Sequence, residues 1–273
     1  GGRYILSQPL VFHPNDSNTS YVAMDGETPE ICGGVRLTGW EKEGELYKVF
    51  AGTGIKSRQF YVNGQRAVRA REFITSMTSD SLGHSVYSPD MKNWRNVEQI
   101  EMVYDARWSQ LRCKVASVTD TSIIMQQPQY AWIWQKPSGA SVRFPPLMIE
   151  NAFELLNEPG EWYHDITSGY LYYYPREGED MSTADAVLPV LEELVVIEGT
   201  VENPVSDIVF EGITFCYSTW NTPEKERYFI DIQANVRTAS TSDWFDRTPI
   251  DAAVFVKGGN NIQFIANTFE HIG

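Results

Sequence analysis

The stretch Ser206-Asp207-Ile208-Val209-Phe210-Glu211-Gly212-Ile213-Thr214-Phe215 returns, in pattern, as Gly259-Asn260-Asn261-Ile262-Gln263-Phe264-Ile265-Ala266-Asn267-Thr268-Phe269-Glu270-His271-Ile272. In each copy an Asn or Asp precedes an Ile-x-Phe strand, a small residue or Asn breaks it, and Thr-Phe opens another strand. One coil of a parallel β-solenoid reads this way. Such a coil buries its apolar face only against its neighbours. Stacked coils are therefore expected, and a coil freshly started before Gly273 is expected to leave an open edge for further coils or a second chain.

Earlier segments divide by the same criterion. From Gly2 to Gly34, short apolar runs (Tyr4-Ile5-Leu6, Leu10-Val11-Phe12, Tyr21-Val22-Ala23-Met24) alternate with turn clusters such as His13-Pro14-Asn15-Asp16-Ser17-Asn18, as in a first coil. Residues 1–39 are thus expected to cap the stack. Residues 40–187 are expected to form an antiparallel β insertion of sandwich or barrel type. Within it, Asn63-Gly64 joins two β runs, a strong short-range hairpin signal. A second hairpin is expected over Glu161 to Pro175, its aromatic strands flanking Asp165-Ile166-Thr167-Ser168-Gly169. Short helices are expected at Ser88 to Asn93 and at Ile149 to Leu156. Trp132-Ile133-Trp134 alternates like a strand, which makes it either an aromatic platform or core of the insertion. Coils are expected to resume over 188–273, interrupted at 217–252. The predicted fold class is all-β: a truncated, single-stranded right-handed parallel β-helix with a large antiparallel insertion.

Composition narrows the partners. The net charge of −14 over 273 residues argues against nucleic acid, whose phosphates need basic surface. The longest apolar runs fall short of a membrane span. Three cysteines (Cys32, Cys113, Cys216) and four histidines are scattered. Their spacing gives neither a disulfide framework nor a metal-ligand pattern, so inert buried thiols and no cofactor are expected. Eight Trp and fourteen Tyr read either as sheet packing or as platforms for sugar rings. Arg66, Arg69 and Arg71 read as a salt-bridged strand face or as a basic stripe toward an anionic sugar.

Four stretches carry a family resemblance: Gln59 to Arg71 (QFYVNGQRAVRAR), Glu150 to Tyr163 (ENAFELLNEPGEWY), Gly169 to Pro175 (GYLYYYP) and Asp231 to Asn235 (DIQAN). With Asn267-Thr268-Phe269-Glu270-His271-Ile272-Gly273, they make the chain resemble, over essentially its whole length, β-helix carbohydrate-active enzymes of glycoside hydrolase family 141 and its relatives. The resemblance implies a secreted, periplasmic or cell-surface bacterial enzyme acting on plant or host polysaccharide. Fucosidase and xylanase activities occur among such relatives. It also implies catalytic carboxylates on later coils beyond residue 273, which leaves open whether this chain acts alone.

Glycosidic cleavage needs two carboxyl groups about 5 to 9.5 Å apart. The matching coils offer only Glu211, Glu270 and Asp207, and their spacing does not pair them. The 217–252 stretch is long, polar and rich in Trp, Asp and Arg, so it either lines a binding face or packs on the insertion with its acids solvated. On the binding reading, the sugar-contacting residues are Trp220, Tyr228, Asp231, Gln233, Asn235, Trp244, Asp246 and Arg247. The resemblance adds His271, which otherwise reads as a surface partner of Glu270. Two other functions remain open: a β-helix polysaccharide lyase, which calls for clustered Asp around Ca²⁺ and a Lys or Arg base, and a non-catalytic carbohydrate-binding or surface protein.

Overall fold

A computed structural model of the chain describes residues 1–106, 109–135, 142–224, 228–230, 236–238, 247–248 and 251–273. Among them one α-helix, Gln129–Gln135, and five 3₁₀ turns are the only helical elements; strands and turns form the rest. The all-β expectation holds.

The two copies of the repeat pair strand on strand. Val205–Glu211 and Gly259–Ile265 run parallel, with Ile208 opposite Ile262 and Phe210 opposite Phe264. Thr214–Cys216 runs parallel to Thr268–Glu270, with Phe215 opposite Phe269. Strands from the start of the chain join the same sheets. Thr19–Val22 flanks Val205–Glu211, and Pro29–Cys32 lies between Gly2–Ile5 and Thr214–Cys216. A third parallel sheet takes Leu10–Phe12, Val195–Glu198 and Val254–Lys257. Parallel in-register pairing sets like residues about 4.8 Å apart, so the aromatic side chains stack. Ring centroids are 5.3 Å apart for Tyr21 and Phe210, 5.1 Å for Phe210 and Phe264, and 5.0 Å for Phe215 and Phe269. Phe210, Phe215, Ile208, Ile197 and Leu194 are fully buried between the sheets.

The break residues of the repeat turn the corners. Asn18, Asp207 and Asn261 occupy the strand-entry position with φ of 63°, 58° and 53°, a left-handed conformation that Asn and Asp tolerate best among side-chain-bearing residues. Asn261 Nδ2 donates to Asp207 Oδ1 at 2.6 Å. Gly212 and Ala266 hold the next corner at φ of 69° and 48°. Asn267 ties that corner down, its amide donating to the Phe210 carbonyl at 2.9 Å and its side-chain oxygen accepting the Ile213 N–H at 2.8 Å.

Between the early and late parallel strands, the strands are almost all antiparallel. The Tyr61–Val62 and Gln65–Arg66 hairpin turns through Asn63 and Gly64, both at positive φ, as the sequence predicts. Glu161–His164 and Tyr170–Tyr173 form the second expected hairpin. One pairing differs: Val68–Arg69 runs parallel to Glu161–His164. A six-stranded sheet centred on Glu101–Ala106 and Ser109–Val118 buries Met102, Tyr104, Leu111, Ile123 and Tyr130 on its core face. A second cluster gathers Phe60, Trp162, Leu171, Tyr173 and Leu188.

Three local expectations are corrected. Trp132-Ile133-Trp134 is helix, because Tyr130 and Ile133, three residues apart, both point into the Tyr104 cluster, which a strand's two-residue period cannot achieve. Trp134 packs beside Phe144 at 5.0 Å, so core packing, not a strand platform, describes the segment. Ser88 to Asn93 yields a single 3₁₀ turn at Met91–Asn93. Ile149 to Leu156 begins as the Met148–Glu150 strand, with Ile149 paired to Met102. Asn151 at φ 66° breaks that strand, and only the turn Phe153–Leu155 follows.

All three cysteines are free and buried. Within 217–252 three short strands, Tyr228–Ile230, Val236–Thr238 and Arg247–Thr248, pair antiparallel. No described helix is long and apolar enough to cross a membrane.

Candidate functional site

Tyr217 and His271 occupy the same place in the two repeats, just after Thr-Phe-x. Because the preceding strands are in register, the two rings stack, with centroids 4.8 Å apart and planes 29° apart. Both residues sit at positive φ, 57° and 54°, which costs a side-chain-bearing residue about 1–3 kcal/mol and persists only where the surroundings impose it. The surroundings are close. Tyr61 lies 4.7 Å from the His271 ring and meets Tyr217 edge-on at 5.3 Å. The Arg3 guanidinium stands 5.4 Å over the Tyr217 ring, within cation–π range. Arg3 also donates to Glu30 at 2.6 Å and to Asp185 at 3.0 Å, and Asp185 takes Arg36 at 3.3 Å.

Tyr61 and Tyr217 are buried in a small cluster with Cys32, Val187 and Cys216. Cys32 and Cys216 oppose each other in register, and the Cys32 thiol donates to the Gly34 carbonyl at 3.4 Å. Burial raises both phenol pKa values, that of Tyr217 to about 12, so both phenols stay neutral at ordinary pH. His271 is half-buried, and the side chains of Arg3, Glu30 and Asp185 are about a third exposed. The groups presented to solvent are thus an imidazole edge and a guanidinium held between two carboxylates. These are donors and acceptors for a polyhydroxylated ligand, on a base that is already rigid.

Residues 219–222 stitch this patch to the antiparallel region. The Thr219 hydroxyl donates to Gln59 Oε1 at 2.6 Å, and the Trp220 N–H donates to the same oxygen at 3.3 Å. Arg58 N–H donates to Thr219 Oγ1, and Asn221 Nδ2 to the Lys56 carbonyl. Trp220 is half-buried in this seam, and its indole N–H is buried without a partner.

Behind the seam lies an ion cluster. Arg58 grips Glu101 with two bonds of 2.7 and 2.8 Å. Arg69 reaches Glu101 at 3.3 Å and Glu150 at 3.5 Å, and Arg112 reaches Glu150 at 3.3 Å. Burial alone would raise the Glu101 pKa, but Arg58 and Arg69 hold it well below the usual carboxylate range. For Arg69 the salt-bridged reading of the arginine alternation is the observed one.

The described acids have mostly structural work. Burial raises the Glu161 pKa, yet its carboxylate accepts the N–H groups of Asn157 and Glu158 at 3.1 and 3.2 Å, closing the turn before its own strand. Glu30 and Asp185 are engaged by Arg3, and Asp207 by Asn261. Glu211 and Glu270 are exposed at strand ends. No acid and nucleophile pair is assigned among the described residues.

Of the sequence-predicted residues, His271 lies in the patch and Trp220 in the adjoining seam. Tyr228 and Arg247 lie on the short strands, where only the backbone is described. Asp231, Gln233, Asn235, Trp244 and Asp246 lie outside the described residues. The sequence reasoning missed Arg3, Glu30, Tyr61, Asp185 and Tyr217. Only Tyr217 carried a readable signal, since the repeat aligns it with His271; the others come from segments remote in sequence.

The family model described as "GH141 insertion domain" matches residues 47–176. Over its whole length the chain is similar to a solved structure described as "Glycoside hydrolase", with 28% identity and a TM-score of 0.77. That alignment covers 100% of this chain and 54% of the other, so the chain spans about half the length of that relative. A second structure, "The complex structure of XylC with xylose", aligns with 11% identity and a TM-score of 0.34 over 79% of this chain and 30% of its own, a likeness too slight to argue from. No curated protein matches the chain. The chain is GH141-like in its inserted region and similar to a glycoside hydrolase throughout.

Proposed function

We propose that the chain is part of a glycoside hydrolase directed at plant or host polysaccharide, working outside the cytoplasm or at the cell surface. The three parallel sheets are read as faces of a right-handed β-helix: residues 1–39 form its first coil, 40–187 the insertion, and 188–273 the later coils. The Tyr61, Tyr217 and His271 patch, with Arg3 and its carboxylate partners, forms one wall of the glycan site. The observation that carries this reading is the full-length likeness to the solved glycoside hydrolase. Support comes from the chemistry of the patch, where donors and acceptors project from an aromatic base, as sugar recognition needs.

The test is retention and cleavage on a panel of fucosylated glycans, xylans and pectins. The chain is expected to bind at least one polysaccharide and to lose that binding, by tenfold or more, when His271 and Arg3 are both replaced by alanine. Absence of binding or sugar release across the panel would defeat the proposal. A calcium-dependent unsaturated product would replace the hydrolase with a lyase.

A further inference from the structure

The sheet that carries Trp162 bares two aromatic rings on its other face. Leu46–Phe50 pairs antiparallel with Tyr170–Tyr173, setting Phe50 opposite Tyr170 and Lys48 opposite Tyr172. Alternation along the strands sends Val49 and Leu171 into the Phe60 and Trp162 cluster and these four side chains the other way. Over Tyr172 that face is covered: Phe153 packs on it at 5.0 Å, with the Arg95 guanidinium over both rings. The cover stops there. Phe50 is 60% exposed and Tyr170 36%, with ring centroids 5.7 Å apart and planes at 74°.

An exposed aromatic by itself says little, but this pair is held still. Gly169 has a φ of 81°, and a Cβ there would come within 2.7 Å of the Phe50 ring and 2.9 Å of the Gly52 backbone. The ring thus lies directly on the turn. The Gly169 carbonyl accepts the N–H groups of Ala51 and Gly52 at 2.8 and 3.1 Å. Asp165 Oδ1 accepts those of Thr167 and Ser168 at 3.0 Å each. The backbone beside both rings is tied down, so a ligand that meets them has little left to order.

Size and charge say which ligand. An aromatic side chain buries about 150–250 Å², so two of them fall short of the roughly 800 Å² each partner gives to a stable protein interface. One sugar ring, with C–H groups on its face and hydroxyls at its rim, matches an aromatic ring in area. The rim here is polar: Thr53, Thr167 and Ser168 are exposed around the pair. Lys48 Nζ stands 5.7 Å from the Tyr170 ring centroid and is paired with Glu43 at 2.6 Å. The lysine takes up one side of Tyr170, leaving Phe50 as the ring to stack on. With that charge already met and a net charge of −14 on the chain, nothing here favours an anionic sugar.

We propose that Phe50, backed by Tyr170, is a stacking platform for a neutral pyranose ring, a glycan-holding surface in the inserted region that shares no residue with the Tyr217 and His271 patch. The proposal rests on the glycan reading above and adds a second point of attachment to it. Electrophoresis of the 273-residue chain through gels containing soluble arabinoxylan or xyloglucan reads binding as retardation. The parent is expected to be retarded in at least one gel. Phe50→Ala should bind roughly three- to tenfold more weakly, the effect of one aromatic stacking contact. Phe50→Leu keeps apolar bulk on the turn without a flat ring and should weaken binding as much, whereas Phe50→Trp should match or exceed the parent. Urea midpoints check that each variant folds, and if Phe50→Ala does not, the Leu and Trp variants still decide. Retardation of the Leu or Ala variant equal to the parent's overturns the proposal, as does a parent that neither gel retards. If Phe50→Ala changes only the sedimentation of the chain, the rings join two copies of it and the proposal falls. In each of these cases the glycan reading stands if any polysaccharide of its wider panel is bound or cleaved, and falls with the platform if none is.

Discussion

Replacing Glu101 by Gln tests how the inserted region is held together. Glu101 is 1% exposed and is the only carboxylate touched by both Arg58 and Arg69 among the described contacts. Gln keeps the shape and one acceptor oxygen, so the change removes charge and little else. Arg69 would then keep only its Glu150 contact among the described ones, and Glu150 also serves Arg112. Breaking a buried pair by removing one partner costs about 3–5 kcal/mol, because a buried charge is left uncompensated. That is a large share of the 5–15 kcal/mol typical of a folded domain. Urea unfolding followed by fluorescence measures the loss, and Glu43→Gln serves as control: Glu43 pairs with Lys48 at the surface and should show no measurable change. The sign with pH is fixed. The folded pKa of Glu101 lies well below 4.5, so its contribution is complete above about pH 4.5 and is lost as pH falls through the folded value. Stability of Glu101→Gln should therefore fall less steeply below pH 4.5 than that of the parent. A loss under about 1 kcal/mol with an unchanged urea slope would refute the reasoning, since it would mean the cluster is hydrated in solution.

Phe210→Ala should cost about 3–5 kcal/mol, because Phe210 is fully buried and packs against Phe12, Tyr21, Phe215 and Phe264 at 5.1–5.7 Å; a cost under 2 kcal/mol in urea would mean the stack is loose. Ala266→Gly should raise stability by up to about 1 kcal/mol, since Ala266 holds a φ of 48° that glycine adopts freely, and a lowered melting temperature would contradict this. His84 donates or accepts at Tyr104 and Ser79, and burial lowers its pKa from 6.5 to about 4. The unfolded chain then binds more protons between those values, so stability should decline by roughly 3 kcal/mol as pH drops from 6.5 to 4. An NMR titration placing the His84 midpoint above 6 would overturn that.

What could be read from the sequence was whatever repeats or turns locally. Phe210 with Phe264 and Phe215 with Phe269 were legible because parallel stacking demands like residues at a fixed offset. Asn63-Gly64 was legible because a two-residue turn needs both residues at positive φ. The helix at Gln129–Gln135 was not, since two tryptophans flanking an isoleucine fit either period and only the Tyr104 cluster decides between them. Nor was the ion cluster legible. Arg58 and Glu101 are 43 residues apart, and Arg69 and Glu150 are 81 apart; no periodicity links such positions. Arg3 meets Asp185 across 182 residues for the same reason. Of the residues in the patch and seam, His271 was named from the family resemblance and Trp220 as an aromatic of the 217–252 stretch.

The strained pair at Tyr217 and His271 connects these levels. Left-handed backbone at two aromatic residues would relax if the rings were free, so the geometry requires restraint on both sides. One side is Tyr61, fixed in turn by the hairpin through Asn63 and Gly64 and by pairing of the Tyr61–Val62 strand with Ala186–Pro189. The other is the 219–222 seam, where Gln59 accepts from both Thr219 and Trp220. Gln59 and Tyr61 lie two residues apart on one segment, so a single stretch of the inserted region holds both ends of the strained turn. Removing the Gln59 acceptor with Gln59→Leu should therefore loosen the Tyr217 and His271 stack as well as the seam. That would appear as a changed His271 ring shift by NMR in a variant whose Trp162 and Tyr104 core signals stay in place. An unchanged His271 signal would show that the repeat alone enforces the turn, and that the parallel strands build this patch without the inserted region.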